Sequence, residues 1–439
     1  MNSGDTIFAL ASGFGRAGIA VVRMSGPACR SALHDLLAGR IPEPRRASLR
    51  RLRHPATGEV LDQALVLWLP GPGSFTGEDQ AELHIHGGAA VRTAVIQALA
   101  GLPGLRAADP GEFTRRAFLS GRMDLIAVEG LADLIDAETE AQRRQALRQL
   151  EGALSGKVTE WRDRLADALA LAEAGLDFTD EADVSATASS EALAISLAVF
   201  GEVRTELARA SQGERLREGF VVVIAGPPNA GKSTLLNALA RRDVAIVSPH
   251  AGTTRDAIEV RCDLGGLPVT FVDTAGLRQA ADPVEQEGIA RTRQRAREAD
   301  LVLWLAAPDT GLGPAETFDA PTLTVATKRD LASGAPEAHL SVSARTGEGL
   351  DRLVDEVRRA AEAGLNGAGN AVITRERHRR ALEDVASALS RAQEAHRAGH
   401  DELAAEDLRL ALRALGRVTG QVDVEEILDR IFGQFCIGK

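Results

Sequence analysis

The sequence has 439 residues, 44% hydrophobic and 26% charged, the make-up of folded globular protein with room for roughly two to four domains. Its net charge of −11 excludes a chain that is basic throughout, so any RNA contact needs a local basic patch or a partner that supplies one. Three distant cysteines (Cys29, Cys262, Cys436), an acid at Asp5 where a signal peptide carries base, and no membrane-length apolar run point to a cytoplasmic protein without a disulfide framework, zinc ribbon or membrane anchor.

In chain order, residues 1–120 mix strand-like runs, Ile19 to Met24 and Ala64 to Leu69, with glycine-rich turns such as Pro70-Gly71-Pro72-Gly73-Ser74. This predicts an α+β domain. From 121 to 213 the pattern is helical: Leu147, Leu150, Leu154, Val158, Trp161, Leu165 and Leu169 share one face of a single long helix. Such a stripe reads as the core of a helix bundle. Residues 214–365 alternate strand and helix, Gly364 to Asn370 reads as a linker, and helix returns from about 372 to the end with Leu382, Val385, Leu389, Ala392, Leu408, Leu412 and Leu415. The expected fold is therefore multidomain: an N-terminal α+β domain (1–120), an all-α helical bundle split between 121–213 and 366–439, and an α/β nucleotide domain (214–365) inserted into it.

The nucleotide assignment rests on Gly226-Pro227-Pro228-Asn229-Ala230-Gly231-Lys232-Ser233, a phosphate-loop pattern between an apolar strand and a helix that opens at Thr234. Backbone N–H groups of such a loop cradle phosphates, the lysine meets the outer phosphates, and the serine binds Mg²⁺. Ala251-Gly252-Thr253-Thr254-Arg255-Asp256, with Ser248-Pro249-His250 ahead of it also among the expected GTP contacts, then supplies a loop threonine for the Mg²⁺ shell, and Asp273-Thr274-Ala275-Gly276 a carboxylate and an N–H for metal and γ-phosphate. Thr327-Lys328-Arg329-Asp330 offers a carboxylate that accepts the N1–H and exocyclic amine of guanine, which selects GTP over ATP. Ser343-Ala344-Arg345 closes the base site. Leu277 stands where a water-orienting glutamine might, so another group must position the water. Asp282, Glu285 and Glu287 are all candidates on residue chemistry.

Outside the nucleotide site, three further stretches carry a resemblance. They are Phe75-Thr76-Gly77-Glu78-Asp79 leading to Glu82-Leu83-His84-Ile85-His86-Gly87-Gly88, then Pro110-Gly111-Glu112-Phe113-Thr114-Arg115-Arg116, and the terminal Phe435-Cys436-Ile437-Gly438-Lys439. Together with the loops above, they make the chain resemble the MnmE (TrmE) family of tRNA-modification GTPases nearly end to end. The resemblance implies an N-terminal folate-binding and dimerising domain, a split helical domain and an inserted GTPase domain. It implies K⁺-dependent GTP hydrolysis, gated by the meeting of two GTPase domains. It implies a homodimer that joins the flavoprotein MnmG, which carries FAD, in a heterotetramer. Together they would install an aminomethyl-type group at C5 of the wobble uridine of tRNA, with 5-formyl- or 5,10-methylene-tetrahydrofolate as one-carbon source. Given the −11 charge, tRNA contact is expected to run mainly through MnmG.

Carried over by position, Arg23, Glu82, Arg122 and Lys439 match the family's folate contacts, with Arg122 where relatives have lysine. Asn229, Ser248, His250 and Thr253 match K⁺ ligands, Ser233 and Thr254 match Mg²⁺ ligands, and Glu285 matches the water-positioning glutamate. Thr327 departs from the usual asparagine and is too short to reach guanine N7, so some loss of affinity is expected, with Asp330 keeping guanine specificity. Cys436 reads as a packed tail cysteine ahead of a nucleophile or a prenylation site. His84 and His86 share a strand face and read as polar pocket lining ahead of zinc ligands. A ribosome-assembly GTPase of the same K⁺-using group is the rival reading; it leaves the N-terminal domain and the terminal Phe-Cys-Ile-Gly-Lys unexplained.

Overall fold

The computed structural model describes residues 4–13, 15–177, 182–242, 244–246, 259–273, 299–308, 318–331, 338–422, 428, 431–433, 435 and 438, without side chains at 177 and 182–186. The chain divides into two compact units, Met1–Ala132 with Gly416–Lys439, and Asp133–Leu415.

The first unit holds β1 (Thr6–Leu10), β2 (Ile19–Ser25), α1 (Cys29–Leu36), β3 (Ser48–Arg53), β4 (Val60–Leu69), β5 (Gln80–His86), α2 (Ala89–Ala100), β6 (Leu105–Ala107) and α3 (Glu112–Leu119). Its six-stranded sheet runs β3-β4-β5-β2-β1-β6, antiparallel except for the β1–β6 pair. Alternation decides its faces. Val22, Met24, Val66, Leu83 and Ile85 point to one side and pack with Leu33, Leu36, Val95 and Leu99 of α1 and α2. Arg23, Glu82 and His84 are therefore delivered to the other side. The tail residues Leu428, Ile431, Phe432 and Phe435 pack on Leu125 and Val128. Gly438 lies so close to the carbonyl of Leu10, at the end of β1, that a Cβ there would overlap it.

α4 (Leu125–Asp136) leads to the second unit, which holds α5 (Glu140–Leu150), α6 (Ala153–Asp177), α7 (Ala182–Leu207) and α8 (Ala210–Glu218) before its strands. The single helix expected from Leu147 to Leu169 is two. Glu151 and Gly152 end α5, with Gly152 at φ 92°, a conformation that a helix cannot continue through. The periodicity carries across because α6 restarts at once, so the stripe alone did not reveal the break.

The strands are β7 (Phe220–Ala225), followed by α9 (Lys232–Ala240), then β8 (Glu259–Asp263), β9 (Pro268–Asp273), β10 (Leu301–Ala306), β11 (Thr322–Ala326) and β12 (Leu340–Ser341), with α10 (Leu350–Gly364) behind them. The sheet order is β12-β11-β10-β7-β9-β8, parallel apart from the β8–β9 pair. β7 and β10 are buried along their whole length, which is why their sequences are unbroken apolar runs; β9 is as deeply buried but carries Thr270 and ends on Asp273. Helix then returns as α11 (Glu376–Arg397) and α12 (Asp401–Thr419), and α11 packs on α7. The chain enters and leaves the strand-rich segment at neighbouring points. Gln145 of α5 donates to the carbonyl of Gly213 (2.9 Å), and Gln149 donates to the carbonyl of Val372 (2.6 Å) and to the hydroxyl of Thr374 (3.1 Å). Gly213 abuts the Ile373 carbonyl, where no side chain would fit.

Candidate functional site

The nucleotide loop is built mainly by backbone. Gly226 leaves β7 at φ 145°, and a Cβ there would stand 2.6 Å from the carbonyl oxygen of Leu305 on β10. Asn229 (φ 63°) and Gly231 (φ 90°) take left-handed conformations that turn the chain into α9. Gly231 is the N-cap and has no side chain to spend on the first N–H groups of the helix, so these remain for an anion, aided by the helix dipole. Lys232 is buried and donates to the carbonyls of Gly226 and Pro227, both at 2.9 Å, so its ammonium spans the mouth of the loop. Ser233 donates to Asp273 Oδ2 at 2.6 Å, joining α9 to the end of β9. A hydroxyl oxygen beside a 2%-exposed carboxylate is the hard-oxygen environment that Mg²⁺ takes, so the residues fit the ion.

The base loops follow from β11 and β12. Thr327 continues β11 with its N–H on the Ala306 carbonyl (2.8 Å) and its hydroxyl on the Ala230 carbonyl (2.7 Å). It is 5% exposed, so that hydroxyl ties the base loop to the phosphate loop from inside. Lys328 turns at φ 56°, and Asp330 lies in a short 3₁₀ turn. Ser343 donates to Asp330 Oδ1 at 2.7 Å and accepts from the Thr346 N–H at 3.2 Å. The Ser343 hydroxyl, helped by the Arg345 charge, holds the Asp330 carboxyl below its ordinary range. It is thus an ionised acceptor at neutral pH, as guanine recognition requires. Of the residues expected at this site, Asn229 to Thr234, Asp273, Thr327, Lys328, Asp330 and Ser343 to Arg345 are placed on these connected loops. Ser248 to Thr254, Thr274 to Gly276, Leu277 and Glu285 lie outside the described residues.

In the first unit, Arg23 and Glu82 face each other across β2 and β5. Arg23 gives Nε (3.0 Å) and Nη2 (2.9 Å) to Glu82 Oε1, and His84 Nε2 lies 3.2 Å from Glu82 Oε2. Burial pushes the Glu82 carboxyl up, but the Arg23 charge and the His84 bond outweigh it, and the net shift is downward. The Arg23 guanidinium sits 5.9 Å from the ring centroids of both Phe75 and Phe113. Arg122 is exposed, with its stem against Gly77 in the same 74–78 loop. His86 turns instead to Asp62, at 2.7 Å. Lys439 and Cys436 lie outside the described residues. Among those described, no group of three or more His, Cys, Asp or Glu side chains is placed to hold a metal ion.

A network that the sequence reading missed stands beside this face. Arg116 binds Asp5 (2.7 Å), Glu78 (3.1 Å) and Glu112 (3.2 Å), while Arg106 binds Asp5 (2.6 Å) and Glu112 (2.5 Å). Ser25 extends it by donating to Glu78 at 2.7 Å. Glu78, Glu112 and Arg116 all lie in the quoted stretches, but nothing in their spacing says that they meet Asp5.

Sequence comparison decides the family. A family model described as the MnmE helical domain matches residues 125–436, and one described as the GTP-binding protein TrmE N-terminus matches residues 6–122. The chain is 63% identical to a tRNA modification GTPase MnmE of Methylobacterium sp. (strain 4-46), over 99% of this chain and 100% of the relative. It is 61% identical to the protein of that name from Methylorubrum populi, over 99% and 98% of the two chains. With that from Parvibaculum lavamentivorans it shares 53% identity over 99% and 100%. The chain belongs to the MnmE family. It is a GTP-hydrolysing enzyme of that family, with a P-loop GTPase-like fold around Lys232, Ser233 and Asp273. Among the described residues, no helix of this MnmE-family chain is long and apolar enough to cross a membrane.

Proposed function

We propose that this chain is the K⁺-activated GTPase of a complex that modifies C5 of the wobble uridine of tRNA, acting as a homodimer with MnmG in the cytoplasm. The carrying observation is the Ser233–Asp273 contact under a loop whose helix N-terminus has no side-chain cap. Lys232 and the loop N–H groups hold the β- and γ-phosphates, Ser233 and Thr254 hold Mg²⁺, and Asp330 reads guanine. Asn229, with Ser248, His250 and Thr253, holds K⁺ where an arginine finger would otherwise stand, and Glu285 positions the attacking water. Mg²⁺ and K⁺ supply charge stabilisation to the phosphoryl group.

The domain plan is the inserted one: a GTPase domain over 214–365 within a helical domain of 121–213 and 366–439, following a folate-binding and dimerising domain over 1–120. The neighbouring entry and exit points at Gly213 and Ile373 support it. Arg23, Glu82, Arg122 and Lys439 hold a reduced folate, 5-formyl- or 5,10-methylene-tetrahydrofolate, which supplies the one-carbon unit; FAD is on MnmG. The approach of Gly438 to Leu10 supports a site that uses both chain ends.

The test compares phosphate release from GTP in K⁺ and in Na⁺ at equal ionic strength. Turnover should be faster in K⁺, and Glu285→Ala should abolish it while leaving GTP binding intact. Equal rates in the two salts would sink the K⁺ assignment. A raised melting point with 5-formyl-tetrahydrofolate in the wild type, lost in Glu82→Ala, tests the folate part separately.

A further inference from the structure

β3 and the segment before it carry charge that the GTPase and folate readings leave unused. Between positions 40 and 54 stand six arginines, Arg40, Arg45, Arg46, Arg50, Arg51 and Arg53, and one acid, Glu43, in a chain of net charge −11. Arg46 pairs with Glu43. Among the described residues the other five meet no carboxylate. Arg45 donates to the Gly73 carbonyl, Arg50 to that of Leu49 and Arg53 to that of Gly58, all neutral acceptors. The nearby Asp62 is engaged by His86. Glu59, in the turn between β3 and β4, is a single acid against that run. β3 is also the edge of its sheet. Arg51 and Arg53 project from one face of it, opposite the fully buried Leu52, about 7 Å apart along the strand.

Charge on an edge strand guards against unwanted strand pairing, and one or two residues suffice for that. Five uncompensated guanidiniums in one short run are more than a guard requires. They repel each other at some cost, and they suit a partner whose charges repeat along a backbone. We propose that the β3 edge and the 40–46 segment form a binding surface for the phosphodiester backbone of tRNA, contacted by this chain directly. The contact is electrostatic and indifferent to sequence. It goes beyond the reading above, in which tRNA contact runs through MnmG, and it depends on neither the folate nor the K⁺ part of that reading.

Leu49 (56% exposed) and Leu65 (44%) lie opposite each other on the same face, so a protein surface is the competing occupant. The experiment follows binding of an unmodified tRNA transcript to the full chain by fluorescence anisotropy across a NaCl series. It uses wild type, Arg51→Gln/Arg53→Gln, and Arg352→Gln/Arg397→Gln, which removes equal charge from exposed positions elsewhere. The β3 double variant should bind about tenfold more weakly at low salt and lower the salt slope by about 1.5, with GTP hydrolysis unchanged. The control double variant should bind within about twofold of wild type. Three outcomes would overturn the proposal: no binding of the transcript by wild type at low salt, an equal loss in both double variants, or unchanged tRNA binding by the β3 variant with altered self-association in sedimentation.

Discussion

The nucleotide loop and the charged face of the N-terminal sheet are built by different means. Around α9, recognition comes from the backbone: uncapped N–H groups, left-handed turns at Asn229 and Gly231, and a glycine forced by the Leu305 carbonyl. Around β2 and β5 the face is built from side-chain charge, with Arg23, Glu82 and His84 in line and Arg106, Arg116, Asp5, Glu78 and Glu112 beside them. Backbone geometry needs fixed residues at fixed spacing. A charge network needs only that complementary groups meet somewhere in space. The first kind of site tolerates change around it and fails when one residue is altered; the second shares its load.

The sharpest break falls in the loop. Lys232→Ala removes the cation that spans the loop mouth. Loss of a single preorganised charge of this kind lowers turnover roughly 10²–10³-fold. The fold should survive, because α9 and its core contacts Leu235, Leu236 and Leu239 do not depend on the ammonium. Phosphate release with unchanged circular dichroism measures this. A loss below tenfold would mean that the loop works without its lysine.

The same contrast governs what could be read from the sequence. The strands β7 and β10 were legible as apolar runs, β9, β11 and the helix α9 by their place around the glycine pattern, and Lys232, Ser233, Asp273 and Asp330 because local chemistry dictated them. Arg23 and Glu82 were reachable through the family resemblance, and their direct contact required the β2–β5 register. Asp5 with Arg116 was not legible: the partners are 111 positions apart and no local rule links them. The break at Gly152 was hidden for the opposite reason, since a glycine in a helical stripe is often tolerated and only its φ shows that the helix ends.

The network should fail by loss of stability. Arg116→Ala leaves Glu78 without its guanidinium beside Asp5 and Glu112 and should cost about 3 kcal/mol in urea unfolding, the lower end for a broken buried pair because Arg106 still serves Asp5 and Glu112. A cost below about 1 kcal/mol would reduce the network to surface decoration. The two units should also part company in acid. Burial pushes the carboxyls of Asp5 and Glu112 up, but their bonds to Arg106 and Arg116 outweigh it and hold both below ordinary values. Their contribution is therefore full above about pH 5 and is lost as pH falls through the lowered values. Asp300, beside β7, is the reverse: burial raises its carboxyl despite bonds from the Val221 N–H and Arg215. Protonation there relieves a cost, so its region gains as pH falls. Asp300→Asn should accordingly steepen the loss of stability on the acid side, and Arg116→Ala should flatten it.

The smallest effect tests where the two kinds of chemistry meet. Thr327 stands in the base loop but gives its hydroxyl to the Ala230 carbonyl, a side-chain bond that fixes a backbone site. Thr327→Val keeps the shape and removes the donor, leaving Ala230 short of a buried partner. That loss is worth about 1–2 kcal/mol, so GTP and GDP affinity should both fall about tenfold with little change in turnover at saturation. Thr327→Asn restores a longer amide that serves the same carbonyl and also reaches guanine. By the net worth of one hydrogen bond, about 1 kcal/mol, it should tighten both nucleotides about fivefold. Isothermal titration of the three proteins separates the roles. If valine binds as wild type does, the tie to the phosphate loop contributes nothing to the site. If asparagine binds no tighter, guanine recognition here is complete with Asp330 and Ser343, and the threonine is no handicap.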